Sequence, residues 1–163
     1  MKPWTKAGIA GGILQIVFTL PTLLIYILPF GAGTLLAMCT CCVFLLLYPV
    51  PGILNAYWMP SPRETETGQV VRTGAFAGLL AAGIDSVATL ILMLGISWAG
   101  LTERYIEQMN PNGMEILRQS GLEFWYSIEG MLLQTSIGLV FHIIMGVLLS
   151  IAGGIIYNAI RKG

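Results

Sequence analysis

Charge is scarce in this 163-residue chain: Lys, Arg, Asp and Glu together make up 10% of it and cancel to a formal net charge of zero. An ordinary soluble domain carries about 25% charged residues, so the composition excludes a fold dissolved in water. With no basic face, nucleic acid is excluded as a partner. Histidine occurs once, at His142, and cysteine three times. A structural zinc site wants four N/S ligands and a nucleophilic triad wants an accessible base, so neither is written here. No phosphate-cradling loop, dinucleotide glycine fingerprint or glycosylation sequon is found either, and the chain reads as non-enzymatic. Cys39, Cys41 and Cys42 fall within one turn or so of a regular helix, where they are poorly placed to pair, and are expected to serve as small packing residues.

Hydrophobicity is abundant, at 56% of residues. Four apolar stretches, 7–29, 34–57, 71–98 and 131–158, each reach the roughly 20 residues that a membrane-spanning helix needs. The runs are continuous rather than alternating, which excludes a β-barrel. The expected fold is all-α: one integral membrane domain over 1–163 with four transmembrane helices. The run after Met1-Lys-Pro-Trp-Thr-Lys6 is longer than the apolar region of a cleaved signal peptide and is expected to remain as the first span.

Basic residues set the expected orientation. Lys2, Lys6, Arg63, Arg72, Arg161 and Lys162 fall on one side of the four spans, and only Arg104 and Arg118 on the other. Set against Glu64 and Glu66 the first side is +4; against Glu103, Glu107, Glu115, Glu123 and Glu129 the second is −3. The positive-inside bias then predicts both termini in the cytoplasm, in a bacterial inner (plasma) membrane. Trp4, Tyr57, Trp58 and Tyr157 would mark the inner interface and Trp98, Trp125 and Tyr126 the outer one.

The 99–130 segment is the only sizeable region outside lipid. Leu101, Tyr105 and Met109 predict a short helix before the turn Asn110-Pro111-Asn112-Gly113. Met114, Leu117, Gly121, Phe124, Trp125 and Ile128 predict a second, amphipathic one lying on the outer face. Pro60 to Gly68 reads as a solvated linker. Pro21 is expected to bend span one, and Pro49-Val-Pro51-Gly52 to break the last turns of span two.

Small residues four apart let helices approach closely in lipid. Gly8 and Gly12 in span one, Gly74 and Gly78 in span three, and Gly138, Gly146 and Gly154 in span four form such seams. Lys6-Ala-Gly8-Ile-Ala-Gly-Gly12 and Arg72-Thr-Gly74-Ala-Phe-Ala-Gly78 also read as a weak internal repeat. Gly78 is seven residues before Asp85, and His142 lies within the span-four seam, so both point at protein. A charge at bilayer centre costs roughly 3 kcal/mol or more, and so normally faces a partner or water. Asp85 and His142, at similar depth, form an intramembrane polar pair with three open readings: a hydrogen bond that fixes helix register, a proton or ion relay, or His142 as an axial ligand to a haem or chlorin-type pigment. No cofactor is required by the sequence. The compact four-span plan resembles that of the small multidrug exporters, but those depend on an acidic residue in the first span, where this chain has Gln15, which cannot titrate.

The first functional expectation is a small accessory subunit packed against larger partners of a membrane-protein complex, possibly of respiratory or photosynthetic electron transport. The alternative is a homo-oligomeric proton or ion channel or transporter working through Asp85 and His142.

Overall fold

In hydrocarbon each backbone N–H and C=O must be satisfied within the chain, and long apolar runs achieve this as helices. The computed structural model describes residues 1–21, 24, 28, 30–60, 66–109 and 112–162, and these form helices and no strand. The elements are α1 (Pro3–Thr19), α2 (Phe30–Leu47), α3 (Val50–Trp58), α4 (Thr67–Trp98), α5 (Leu101–Met109), α6 (Gly113–Gln119), α7 (Glu123–Tyr126) and α8 (Ile128–Lys162). Among the described residues three stretches are long and apolar enough to cross a membrane: Met38–Trp58, Thr67–Trp98 and Leu132–Lys162.

The first predicted span differs. α1 has 17 residues, about 26 Å at the helical rise of 1.5 Å per residue, short of a hydrocarbon core of roughly 30 Å. It closes at Leu20, whose N–H bonds the Ile16 carbonyl, and the chain tightens into a 3₁₀ turn at Pro21, which has no N–H to donate. Most of the remainder of 7–29 lies outside the described residues, as do the linker 61–65, Asn110 and Pro111.

The second predicted span is broken where its prolines stand. The Tyr48 N–H closes α2 on the Phe44 carbonyl (3.1 Å) and the Ile53 N–H opens α3 on Pro49 (3.1 Å). The outer segment also departs from expectation. α5 forms as predicted, but the second amphipathic helix is split into α6 and α7. Gly121, at φ +71°, takes the left-handed conformation that ends helices, its N–H returning to the Arg118 carbonyl (3.1 Å). α8 then starts three residues ahead of the expected boundary: Ser127 Oγ accepts the Gly130 N–H (3.2 Å) as an N-cap. Beside it the fully exposed Glu129 carboxyl is held below its ordinary value by its own backbone N–H and then by the Ser127 hydroxyl.

Packing follows the small residues. A Cβ at Gly8 would stand 2.8 Å from Leu80 Cβ and 3.0 Å from the Ala77 carbonyl, and one at Gly12 would stand 2.9 Å from Ile84, so α1 runs alongside α4 in the same direction. α8 runs antiparallel to α4. A Cβ at Gly78 would meet Ser150 Cβ at 2.6 Å and the Gly146 carbonyl at 2.7 Å, and one at Gly146 would meet Ala82 at 2.9 Å. Ser150 Oγ donates to the Gly74 carbonyl (2.8 Å). α3 is wedged into the same seam, with Gly52 against Ser150 and Gly154, and Gly153 against Pro49. At this end Asn55 donates to Thr73 (2.8 Å) and Arg161 to the Ala56 carbonyl in the last turn of α3 (3.0 Å). Gly74 and Gly154 meet their neighbours at ordinary contact or slightly closer, whereas Gly138 has nothing within 4 Å of its Cβ position. α2 stays peripheral: Leu35, Met38, Leu45 and Leu46 are exposed, and so are Cys39 and Cys42, which are not packed inside as expected.

Candidate functional site

Four elements bring one polar side chain each to the middle of the bundle. Asp85 projects from α4 and is 2% exposed. His142 projects from α8, with its Nε2 3.1 Å from Asp85 Oδ2. The last residue of α1, Thr19, donates its hydroxyl to Asp85 Oδ1 (2.8 Å). From the turn between α2 and α3, the Tyr48 hydroxyl meets His142 Nδ1 at 2.5 Å. The result is a chain Tyr48–His142–Asp85–Thr19. The prolines make it possible: Pro21 ends α1 just beyond Thr19, and Pro49 ends α2 just beyond Tyr48, so each helix terminus delivers its polar residue inward.

The two contacts of His142 differ in kind. Asp85 Oδ2 is close enough for an ion pair, yet it lies off the Nε2–H axis, and no aligned hydrogen bond to Nε2 forms. A small ring rotation would align the bond, while the distance is set by the α4–α8 seam. Nε2 is fully buried and Nδ1 is engaged by Tyr48. Among the described residues no three His, Cys, Asp or Glu side chains are grouped to hold a metal ion.

Hydrogen counting shows what the chain can do. The Thr19 hydroxyl has one hydrogen, with Asp85 Oδ1 and the Gln15 carbonyl (3.0 Å) both within its reach. With Asp85 ionised, that hydrogen goes to the carboxylate. With Asp85 protonated on Oδ1, the acid donates to Thr19 and the hydroxyl turns to Gln15. Tyr48 offers the same reversal at the other end: it donates to Nδ1 of a neutral imidazole and accepts from Nδ1–H of an imidazolium. Whether the pair is written as acid and imidazole or as carboxylate and imidazolium, its two ends can thus stay hydrogen-bonded through rotation of the Thr19 and Tyr48 hydroxyls. Gln15, 1% exposed, lies one turn before Thr19 with its Oε1 unpartnered among the described residues.

A cleft of about 340 Å³ opens between α4 and α8 next to this chain, lined by Ser86, Thr89, Met93, Gln134, Thr135, Gly138, Leu139 and His142. Eight residues separate Gln134 from His142, so the cleft rises roughly 12 Å along α8 toward its N-terminus. Ser86 is 5% exposed, and its Oγ has no partner among the described residues. Toward the other end of the bundle, Gly52, Gly78, Gly146 and Ser150 close the helices on one another. His142 therefore has a cleft lined in part by polar side chains on one side and a tight seam on the other.

Of the residues singled out in the sequence, Asp85 and His142 come together, and Gly8, Gly12, Gly78 and Gly146 stand at close helix contacts. Gly138 lines the cleft instead. Thr19, Tyr48, Ser86, Thr89, Gln134 and Thr135 were missed. A signal existed for the first two, each sitting one or two residues before a helix-ending proline. Comparison with known protein families, curated proteins and solved structures finds no match to this chain.

Proposed function

We propose that the chain is a four-span integral membrane protein, with both termini cytoplasmic in a bacterial inner membrane, that exchanges a proton at the Asp85–His142 pair. The Tyr48–His142–Asp85–Thr19 chain carries the reading: it joins an acid and a base within 3.1 Å in a buried setting and stays hydrogen-bonded at both ends whichever of the two holds the proton. A purely structural clamp needs neither the reversible ends nor a polar cleft beside it. The basic residues at the termini and the acidic 99–130 segment support the orientation, which puts the Gln134 end of the cleft nearer the outer side. Passage beyond the pair requires the α4–α8 seam to part. Proton uptake by proteoliposomes carrying wild type and Asp85→Asn tests this reading.

A second reading, a non-enzymatic accessory subunit of a larger membrane complex such as an electron-transport assembly, is favoured by α2, whose apolar side chains Leu35, Met38 and Leu46 are all more than half exposed. Lipid or a partner helix would cover them. Stable co-purification with other chains in mild detergent supports that reading; a closed ring of identical chains supports a channel.

A further inference from the structure

α4 presents a second stripe that its helix contacts do not use. Arg72, Phe76, Leu79, Gly83 and Val87 recur at intervals of three or four and so share one face of the helix. That face lies beside the α1 seam rather than in it. Leu80 and Ile84, which meet Gly8 and Gly12, form one flank, and Gly83 has nothing within 4 Å of its Cβ position. The missing side chain leaves a groove of about 620 Å³ lined only by apolar residues. Trp4 of α1 and Phe76, with ring centroids 5.5 Å apart, stand at one end of it and Val87 at the other. Phe76, Leu79 and Val87 are exposed around it.

The groove's length and its charged end identify the occupant. Eleven residues separate Phe76 from Val87, roughly 16 Å along the helix, against about 15 Å for one leaflet of a hydrocarbon core roughly 30 Å thick. The groove thus runs the depth of a single leaflet, as an acyl chain does. Trp4 stands at the level where indole rings meet lipid headgroups, and Arg72 continues the stripe one turn beyond Phe76. Lys2, the residue before α1, and Lys6 lie at the same end. All three cations are exposed, and none has a carboxylate partner among the described residues. Neither α1 nor α4 has an acidic residue in its first turn. Glu64 and Glu66 precede α4, with Glu66 six residues before Arg72, or roughly 9 Å along the axis. A partner helix is a poorer occupant, because close helix approach wants small residues four apart, and here Gly83 stands alone among Phe76, Leu79 and Val87.

We propose that this groove is a binding site for an anionic phospholipid of the leaflet on the Trp4 side. One acyl chain lies over Gly83 from Phe76 to Val87, and Arg72 holds the phosphate, with Lys2 and Lys6 adding to the positive field around it. Basic residues at a membrane surface favour anionic over zwitterionic headgroups. The bound lipid covers the outer edge of the α1–α4 seam. This inference needs α1 and α4 to lie in the bilayer and is independent of proton exchange at Asp85 and His142.

The test is native mass spectrometry of the full chain in a mild detergent, titrated with dioleoyl phosphatidylglycerol or with dioleoyl phosphatidylcholine, which has the same chains and no net charge. One phosphatidylglycerol should bind more tightly than any that follow and more tightly than phosphatidylcholine. Arg72→Gln should weaken that first step about 5-fold, the worth of one basic residue beside an anionic lipid, and leave phosphatidylcholine unaffected. Gly83→Leu fills the groove without touching a helix contact and should abolish the tight step, whereas Gly95→Leu, equally open in the same helix, should not. Circular dichroism checks the fold of each variant, and Arg72→Gln, a change at an exposed side chain, decides the matter if Gly83→Leu does not fold. Equal affinity for the two lipids, a phosphatidylglycerol preference undiminished in either variant, or full competition by glycerol 3-phosphate, which has the charge but no chain, would each overturn the proposal. So would a dimer that Gly83→Leu abolishes, since a second copy would then occupy the groove.

Discussion

Replacing Gly78 by alanine should loosen the contact that holds Asp85 against His142. The added Cβ would lie 2.6 Å from Ser150 Cβ and 2.7 Å from the Gly146 carbonyl, both atoms close to a backbone and neither the movable tip of a long side chain. Overpacking of this kind costs about 1–3 kcal/mol, while alanine gains up to about 1 kcal/mol over glycine in helix propensity. Gly83→Ala cancels the propensity contribution, because it lies in the same helix with nothing within 4 Å of its Cβ position. The Gly78 variant should therefore be about 1–3 kcal/mol less stable than the Gly83 variant, read from reversible unfolding of the two proteins in mixed micelles with increasing dodecyl sulfate. Two equally stable variants, or a more stable Gly78 variant, would refute the close α4–α8 approach and with it the placement of the site.

Tyr48→Phe removes the hydrogen bond to His142 Nδ1 and should cost about 1 kcal/mol in the same unfolding assay. It should also slow proton uptake by proteoliposomes at every pH, because the imidazole loses the hydroxyl that follows its protonation; unchanged uptake would count against Tyr48 as part of the chain. At the start of α8, Glu129 is held below its ordinary carboxyl range. A group depressed in the fold stabilises it above its unfolded value and ceases to do so as pH falls through the folded one. The first turn of α8 should thus fray on acidification, seen as movement of the Gly130 amide resonance at a pH below the ordinary glutamate range, and Glu129→Gln should abolish that movement.

Much of this architecture was legible before any coordinates. Uninterrupted apolar runs can only be helices in lipid, so the regions of α4 and α8 were readable to within a few residues, and the i, i+4 small residues pointed to the faces that pack. Asp85 and His142 announced themselves because a titratable group in an apolar run must turn away from lipid. The rest depended on tertiary geometry. Thr19 and Tyr48 are unremarkable in sequence and become partners of the pair only because Pro21 and Pro49 stop two helices at the same depth as Asp85. Gly138 shares the spacing of Gly146 and Gly154, yet it faces open space: α4 and α8 diverge beyond His142, and periodicity carries no information about where two helices part. The split of the outer amphipathic segment turned on Gly121 adopting positive φ, an event that a helical hydrophobic pattern running through the residue conceals.

Proton flux across a reconstituted membrane tests the central claim most directly. Liposomes loaded with a pH-sensitive dye, carrying either wild type or Asp85→Asn at matched protein content and matched helicity, are given an inward proton gradient with potassium and valinomycin to clamp the membrane potential. Wild-type vesicles should acidify faster than empty ones, and Asp85→Asn should fall to the empty-vesicle rate, because the amide keeps most of the hydrogen bonding but cannot hold an exchangeable proton. Wild-type vesicles no faster than empty ones, or a variant as fast as wild type, would contradict proton exchange at the Asp85–His142 pair.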